Sequence, residues 1–186
     1  MMKWNHITPK NLDDKELGYL FGFYEGDGYS VYDKNSRHYK VELFFNSIKD
    51  RDVQSKVMTM IKKTGLNASI IQDKRCNCSK IQIKSKEFKG FIEDRKNLPL
   101  TNEAKIGFIS GVIDAEGWVV PKKSTIGIVN TDRELISLCK NFLDDLGIKC
   151  SVKERAMYER DRLPSYRILL SSQFNRLNHL SQKIRR

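Results

Sequence analysis

The sequence predicts an α+β protein made of two pseudo-symmetric half-domains. Each half has the order helix, hairpin, helix, hairpin, helix (αββαββα) and a four-stranded antiparallel sheet. A glycine-rich acidic motif occurs twice, as LFGFYEGDG at residues 20–28 and as ISGVIDAEG at residues 109–117. The same succession of alternating and helical segments follows each copy. A chain of 186 residues is long enough for two small halves packed on each other.

Each motif lies at the C-terminal end of a predicted helix, and this helix carries a stripe of small residues along one face. A small residue recurs every four positions, at Gly18, Gly22 and Gly26 in the first copy and at Gly107, Gly111 and Ala115 in the second. Positions four apart share one helix face. Because glycine costs about 1 kcal/mol relative to alanine inside a helix, we expect a compensating close approach of two backbones. The two striped helices are natural partners, and their C-terminal ends would meet.

The second acid of each motif, Asp27 or Glu116, falls at the C-terminal end of its helix. A carboxylate there meets the negative end of the helix dipole, and two nearby carboxylates repel each other. A divalent cation between them removes both costs, and such oxygen ligands suit Mg²⁺. A metal held this way can promote phosphodiester hydrolysis. The alternative is that both acids are only turn residues before strands, but two copies in matching context favour the metal site.

The elements of the first half follow in order. Residues 31–47 predict a hairpin that turns near 33–37. In the strand 41–46 apolar residues occur on both faces, so the sequence does not show which face is buried, and a bulge is possible. A helix over 48–66 begins at Asp50 or Asp52 and ends near Gly65. Its apolar stripe is Val53, Val57, Met60 and Ile61. Strands at 66–73 and 80–84 and a helix at 87–98 complete this half.

The second half repeats the pattern. A hairpin over 119–131 turns at 121–123, and a helix over 132–148 begins at Thr131 or Asp132 and ends near Gly147. The stripe of this helix is Leu135, Leu138, Cys139 and Phe142. Strands at 148–155 and 166–171 precede a closing helix at 173–184. We divide the chain into a first half-domain (1–97), a linker (98–102) and a second half-domain (103–186).

Composition limits the class of partner. The net charge is +11 and the pI is about 9.5, which favours a polyanion, although ribosomal and membrane-surface proteins share this property. No apolar run approaches the roughly 20 residues that span a bilayer. The N-terminal residues lack the apolar core of a signal peptide, so we expect an intracellular protein and no membrane partner. Cys76 and Cys78 lack the partners of a zinc site, and Cys139 and Cys150 lie in apolar patterns typical of a core.

The paired motifs, their spacing and the elements between them resemble the LAGLIDADG homing endonucleases, specifically the single-chain members with two motif copies. The resemblance covers nearly the whole chain from about residue 16. It implies a monomer with internal pseudo-twofold symmetry, in which the motif helices pack together and the two sheets form a saddle on double-stranded DNA. It also implies intron homing, through metal-dependent double-strand cuts at a long pseudo-palindromic target. The compact chain resembles prokaryotic members, so a cytoplasmic location is expected rather than an organellar one.

The resemblance assigns the metal to the carboxylates of Asp27 and Glu116 and to the carbonyls of Gly26 and Ala115. Mg²⁺ is the expected cofactor, Mn²⁺ a substitute, and Ca²⁺ an ion that binds without supporting cleavage. The earlier acids of the motifs, Glu25 and Asp114, are expected to be structural. Three more catalytic positions follow by resemblance: Asn46 and Asn130, which would order water, and Lys84 on the fourth strand. Ser171 replaces that lysine in the second half, which leaves Lys122 or Lys123 as candidates there.

Residues in or beside the predicted hairpins are expected to contact DNA, either at base edges or at phosphates. They are Arg37, Lys40, Lys74, Arg75, Lys80, Gln82, Lys122, Lys123, Lys153, Arg155 and Arg167. Lys80, Gln82 and Lys84 alternate with Ile81 and Ile83, as in a strand with one buried face. The main alternative function is an intron maturase that binds RNA to assist splicing, and another is a DNA-binding regulator of related fold. The presence of both Asp27 and Glu116 favours cleavage over these alternatives, because a protein that only binds has no need of two acids that repel each other.

Overall fold

The structure is a computed structural model, and it describes residues 11–73, 75–120, 125–155 and 163–170. The first half contains α1 (Asp14–Asp27), β1 (Gly28–Asp33), β2 (His38–Asn46), α2 (Arg51–Lys63), β3 (Ala68–Asp73), β4 (Cys78–Lys84), α3 (Lys86–Glu93) and a 3₁₀ turn at Arg95–Asn97. The second half contains α4 (Asn102–Glu116), β5 (Gly117–Val120), β6 (Thr125–Asn130), α5 (Arg133–Asp145), β7 (Ser151–Arg155) and β8 (Ser165–Leu170). The predicted closing helix at 173–184 lies outside the described residues, and the division at 98–102 stays a prediction.

Two antiparallel sheets of four strands confirm the predicted fold class. Their strand orders are β1-β2-β4-β3 and β5-β6-β8-β7, which is the same order in each half. In both halves the motif helix leads directly into the first strand, at Gly28 or Gly117. Because the connectivity repeats, both motif acids stand at equivalent corners of equivalent sheets. None of the helices in the described ranges is long and apolar enough to cross a membrane.

The inward face of β2, which the sequence left open, consists of Val41, Leu43 and Phe45. Glu42 and Phe44 therefore lie on the opposite face, which we call the outer face of the sheet. The pairing of β2 with β4 runs unbroken from Lys40 opposite Lys84 to Asn46 opposite Cys78, so this pair has no bulge.

The interface between α1 and α4 confirms the predicted backbone contact. A Cβ atom added to Gly22 would lie 2.0 Å from the carbonyl oxygen of Phe108, and one added to Gly107 would lie 2.0 Å from that of Lys15. Similar contacts with the partner helix occur at Gly18 and Gly111. The two helices pack backbone to backbone because each offers no side chain at the crossing.

Helices α2 and α5 begin after the predicted cap residues Asp50 and Asp132, but only Asp132 makes the cap bond. Asp132 caps α5 by accepting from the amides of Glu134 and Leu135, whereas the Asp50 carboxylate makes no cap bond to α2 and accepts from the Asn46 amide instead. Gly65 and Gly147 adopt left-handed φ values of 77° and 68°, as expected where helices end.

The apolar stripe of α2 is buried as predicted, but the stripe of α5 needs one correction. Leu138 is only partly buried, and Ile136 joins the core in addition to Leu135, Cys139 and Phe142. Burial raises the pKa of the Cys139 thiol to about 12, so this thiol stays protonated in the core, as expected of a packing residue.

Candidate metal centre and nucleic-acid interface

The two motif acids end adjacent helices. α1 ends at Asp27 and α4 at Glu116, and a strand begins at the next residue in each case. A Cβ atom on Gly26 would lie 2.5 Å from the Cβ of Ala115 and 3.1 Å from the Cγ of Glu116. The missing side chain at Gly26 therefore lets the side chain of Glu116 lie against the last turn of α1. This brings the ends of the two motifs together, as the sequence predicted.

The donor set at these helix ends fits Mg²⁺. The amides of Gly28 and Gly117 donate to the carbonyls of Tyr24 and Ile113, so the carbonyls of Gly26 and Ala115 lie beyond these last helical bonds. Within the described parts of the chain, there is no cluster of three or more His, Cys, Asp or Glu side chains that could hold a metal ion by themselves. Mg²⁺ commonly takes one or two carboxylates and completes its shell with water and substrate phosphate. Two acids and two nearby carbonyls match that preference.

The earlier acid of each motif makes structural contacts, as predicted. Glu25 accepts two hydrogen bonds from Arg95, at 2.8 Å from Nε and 2.7 Å from Nη2. Asp114 is 2% exposed, and its carboxylate accepts from the Tyr19 hydroxyl at 2.7 Å. Burial, reinforced by the nearby Asp114 charge, raises the pKa of Tyr19 well above its ordinary value. The phenol therefore stays protonated and serves as the donor in this bond between α1 and α4.

Substituting Tyr19 with Phe is expected to lower the free energy of unfolding by about 1–3 kcal/mol, because a buried carboxylate loses a hydroxyl donor. Urea titration measures this loss. Tyr29→Phe is the matched control, since Tyr29 is 53% exposed and its change should stay within about 0.5 kcal/mol. Equal stability of the two variants would contradict a structural role for the Tyr19–Asp114 bond.

The two asparagines predicted to serve the site have different contacts. Asn130 donates from Nδ2 to Oε1 of Glu116 at 3.1 Å, which joins it to the second acid. The side-chain oxygen of Asn46 accepts from the amides of Ile48 and Lys49, at 3.1 Å and 3.0 Å. Asn46 thus closes the turn before α2. The structure joins the second asparagine to its acid and gives the first a turn-forming bond.

The strand register favours Lys80 over Lys84 as the lysine near the site. Lys84 pairs with Lys40, which pairs with Val31, three residues beyond the start of β1 at Gly28. That separation is about 10 Å along the strand. Lys80 instead pairs with Phe44, the residue after the partner of Gly28. The resemblance assigned Lys84 as the catalytic lysine, and it gave no register against which Lys80 could be compared.

On the outer face of the first sheet, Lys80 and Gln82 both donate to Oε1 of Glu42 at 2.7 Å. Glu42 is only 8% exposed, so its carboxylate is covered by the two side chains predicted to read bases. This holds both side chains in place and uses one donor of each. Sequence reasoning missed Glu42 because its strand had no assigned phase.

The other basic residues of the first half lie at hairpin ends. Lys40 forms an ion pair with Asp33. Arg75 donates hydrogen bonds to the Asp73 carboxylate from two of its nitrogens, and the Arg75 side chain is 89% exposed. Arg37 occupies the turn between β1 and β2 with a left-handed φ of 55°. Lys40 and Arg75 are thus already paired with an acid, and the contact of these residues with DNA stays a prediction.

On the outer face of the second sheet, the Arg167 guanidinium lies over the Trp118 ring, 5.4 Å from its centroid. The ring covers Gly127, where an added Cβ would lie 2.2 Å from it. The Nε of Arg167 is buried and has no hydrogen-bond partner among the described residues. Lys153 lies opposite Arg167 in the register. Lys74, Lys122 and Lys123 lie outside the described residues, as does the side chain of Arg155.

Comparisons with known proteins agree with this architecture. Residues 103–182 match the family described as LAGLIDADG-like domain. The crystal structure of I-DmoI in complex with DNA and Mn is similar over 90% of this chain and 96% of that chain, with a TM-score of 0.69 and 20% identity. Full-length DUF199/WhiA from Thermatoga maritima is similar over 92% of this chain and 57% of that chain, with a TM-score of 0.64 and 17% identity.

Two curated relatives come from Methanocaldococcus jannaschii and carry the names uncharacterized protein MJ0398 and MJ0314. They are 28% and 30% identical over 74% and 76% of this chain. The chain spans 51% and 59% of their lengths, so it covers about half of MJ0398 and somewhat more of MJ0314.

The family match over residues 103–182 agrees with the resemblance that the second motif carries. The chain as a whole has the two-domain fold of the single-chain homing endonuclease I-DmoI.

Proposed function

We propose that this chain is a site-specific homing endonuclease that makes metal-dependent double-strand cuts in DNA at a long pseudo-palindromic target. The observation that carries the proposal is the meeting of the two motif ends, where Glu116 lies against the last turn of the helix that ends at Asp27. Such a placement of acids at helix C-termini is costly without a cation. I-DmoI has been solved with its target DNA in the presence of Mg, and with DNA and Mn or Ca. This supports divalent-metal use here.

In this proposal Asp27 and Glu116 hold Mg²⁺, with the carbonyls of Gly26 and Ala115 as further ligands. When bound, the cation stabilises the charge that develops on the departing oxygen. Asn130 fixes the orientation of the Glu116 carboxylate through their hydrogen bond. The outer faces of the two sheets orient the duplex, and a monomer suffices because both halves belong to one chain. The protein would act inside the cell, where its target lies.

Arg167 is proposed to read a guanine, because a guanidinium held on an aromatic ring presents its nitrogens in a fixed direction. Arg167→Lys is expected to relax the preference at one position of the target by about 1–3 kcal/mol. Competition binding with single-base variants measures this. Lys153→Met is the control on the neighbouring strand, and it should weaken all sequences alike and reduce the salt slope by about 1. A uniform loss with Arg167→Lys would contradict the assignment.

The direct test of function is incubation with a randomised duplex library, with and without Mg²⁺, followed by sequencing of cut ends. Magnesium-dependent cuts at one long motif with short 3′ overhangs support the proposal. Binding without cutting would overturn it and favour the RNA-binding maturase, for which the same library in RNA form is the next probe. Binding must be distinguished from cleavage in this test, because WhiA has a domain of the same fold within a longer chain.

A further inference from the structure

Arg95 lies in the 3₁₀ turn that leads from the first half to the second, and its guanidinium lies within 4.0 Å of carboxylates from both halves. Its forked contact with Glu25 reaches α1, two residues before Asp27. Its other close carboxylates belong to the start of α5, with Nη2 at 4.0 Å from Asp132 and Nη1 at 3.9 Å from Glu134. One guanidinium therefore stands among three carboxylates contributed by both halves.

A chain of contacts leads from Arg95 to the second metal acid. One carboxylate oxygen of Asp132 caps α5, and the other faces Arg95. The main-chain amide of Asp132 donates to the side-chain oxygen of Asn130 at 2.8 Å. Because an amide N–H can only donate, the oxygen of Asn130 must face it, and the NH₂ group is left to face Glu116. The position of Asp132 thus decides which end of Asn130 meets the acid.

We propose that Arg95 is a positioning residue for the second half of the metal centre, acting on Glu116 through Asp132 and Asn130 while anchored to Glu25 of the first motif. It thereby sets the rate at which one of the two DNA strands is cut. This inference rests on the proposed nuclease function for its strand-cleavage consequence, but its effect on metal binding does not depend on cleavage.

Selectivity for one strand follows from the different contacts of the two asparagines. The side-chain oxygen of Asn46 accepts from the main-chain amides of Ile48 and Lys49, and the main-chain N–H of Asn46 donates to the Asp50 carboxylate. The contacts of Arg95 lead to Glu116 by way of Asn130 and do not pass through Asn46. Loss of Arg95 should therefore disturb the second acid first.

The test uses the full-length chain with two substitutions at Arg95. Arg95→Met removes every donor but keeps an unbranched side chain, and Arg95→Lys keeps the charge but loses the forked contact. Glu134→Gln is the matched control, because Glu134 lies 3.9 Å from Arg95, is 88% exposed in its side chain and is not on the path to Glu116. Asn130→Ala identifies the DNA strand whose cleavage depends on Glu116, because it removes the side chain that bonds to this acid.

The first readout is cleavage of the target selected from the duplex library, with each strand labelled separately. Arg95→Met is expected to slow the strand that Asn130→Ala slows, by about 10–100-fold, which is the usual effect of losing a residue that orients a metal ligand. Arg95→Lys should restore little of this rate, and Glu134→Gln should cut both strands normally. The double variant Arg95→Met/Asn130→Ala should be no slower than Asn130→Ala alone.

The second readout is titration of the DNA-free protein with Mn²⁺, followed by electron paramagnetic resonance. Arg95→Met should weaken Mn²⁺ binding by about tenfold or more. Equal slowing of both strands, or unchanged Mn²⁺ binding, would overturn the proposal, since a merely structural residue affects both half-sites through stability. If the wild-type chain cuts no duplex, the nuclease proposal fails by itself, and the Mn²⁺ titration still decides the role of Arg95.

Discussion

Asp27→Asn is expected to reduce double-strand cleavage by about a thousandfold or more while leaving DNA binding intact. The amide has lost the negative charge that a divalent cation requires. A metal ligand set supplies several kcal/mol of charge stabilisation, and each 1.36 kcal/mol corresponds to a factor of ten in rate. Glu116→Gln should behave alike, because both acids stand at equivalent ends of α1 and α4. Single-turnover cleavage of the selected target with Mg²⁺ measures the effect.

Asp144→Asn is the matched control for this prediction. Asp144 lies outside both motif sequences and pairs with Lys140 on the exposed side of α5, so the same chemical change should leave the rate unaltered. Binding of the target is measured with Ca²⁺, which permits comparison without cleavage. Cleavage by Asp27→Asn at the wild-type rate would show that the motif acids do not serve a metal.

Gly22→Ala is expected to lower the free energy of unfolding by about 3 kcal/mol or more. The new methyl group would lie 2.0 Å from the carbonyl oxygen of Phe108, and a main-chain atom in a packed helix cannot turn aside as a side chain does. Overpacking of this kind commonly costs about 1–3 kcal/mol, and a contact this short with backbone belongs at the upper end. Urea titration followed by circular dichroism measures the loss.

Gly90 provides the control for Gly22, because it also lies inside a helix but has no atom within 4 Å of an added Cβ. Gly90→Ala should raise stability by about 1 kcal/mol through helix propensity alone. The two identical substitutions are thus expected to have opposite signs. A loss at Gly22 below about 1 kcal/mol would mean that the helices can move apart without consequence.

Local patterns were sufficient to predict the order of the elements and the meeting of the motif helices. A glycine every fourth residue has few physical explanations, and the backbone contact between Gly22 and Phe108 is the one the sequence favoured. The phase of β2 could not be predicted, because Leu43, Phe44 and Phe45 are apolar in succession and only the pairing with β4 decides which ones face the core.

The parts of the site that the sequence did not reveal all depend on distances between strands or halves. The resemblance pointed to Lys84, and only the strand register shows that Lys80 lies closer to the residue opposite Gly28. Trp118 and Arg167 become a stacked pair only because β5 and β8 flank β6 at Gly127. Arg95 fell inside the predicted helix at 87–98 and received no role, since nothing in its neighbourhood along the chain signals the carboxylates of α1 and α5.

The backbone contact between α1 and α4 also affects how the chain is made. The glycine face of α1 is covered by α4, which the ribosome completes only at Glu116. Until then, the emerging first half has its sheet, α2 and α3 but nothing against that face. The buried apolar residues of both halves form one continuous cluster within the described part of the chain, rather than two. We therefore expect a repeated architecture that nevertheless matures in a single late step, when the second motif helix leaves the ribosome and docks.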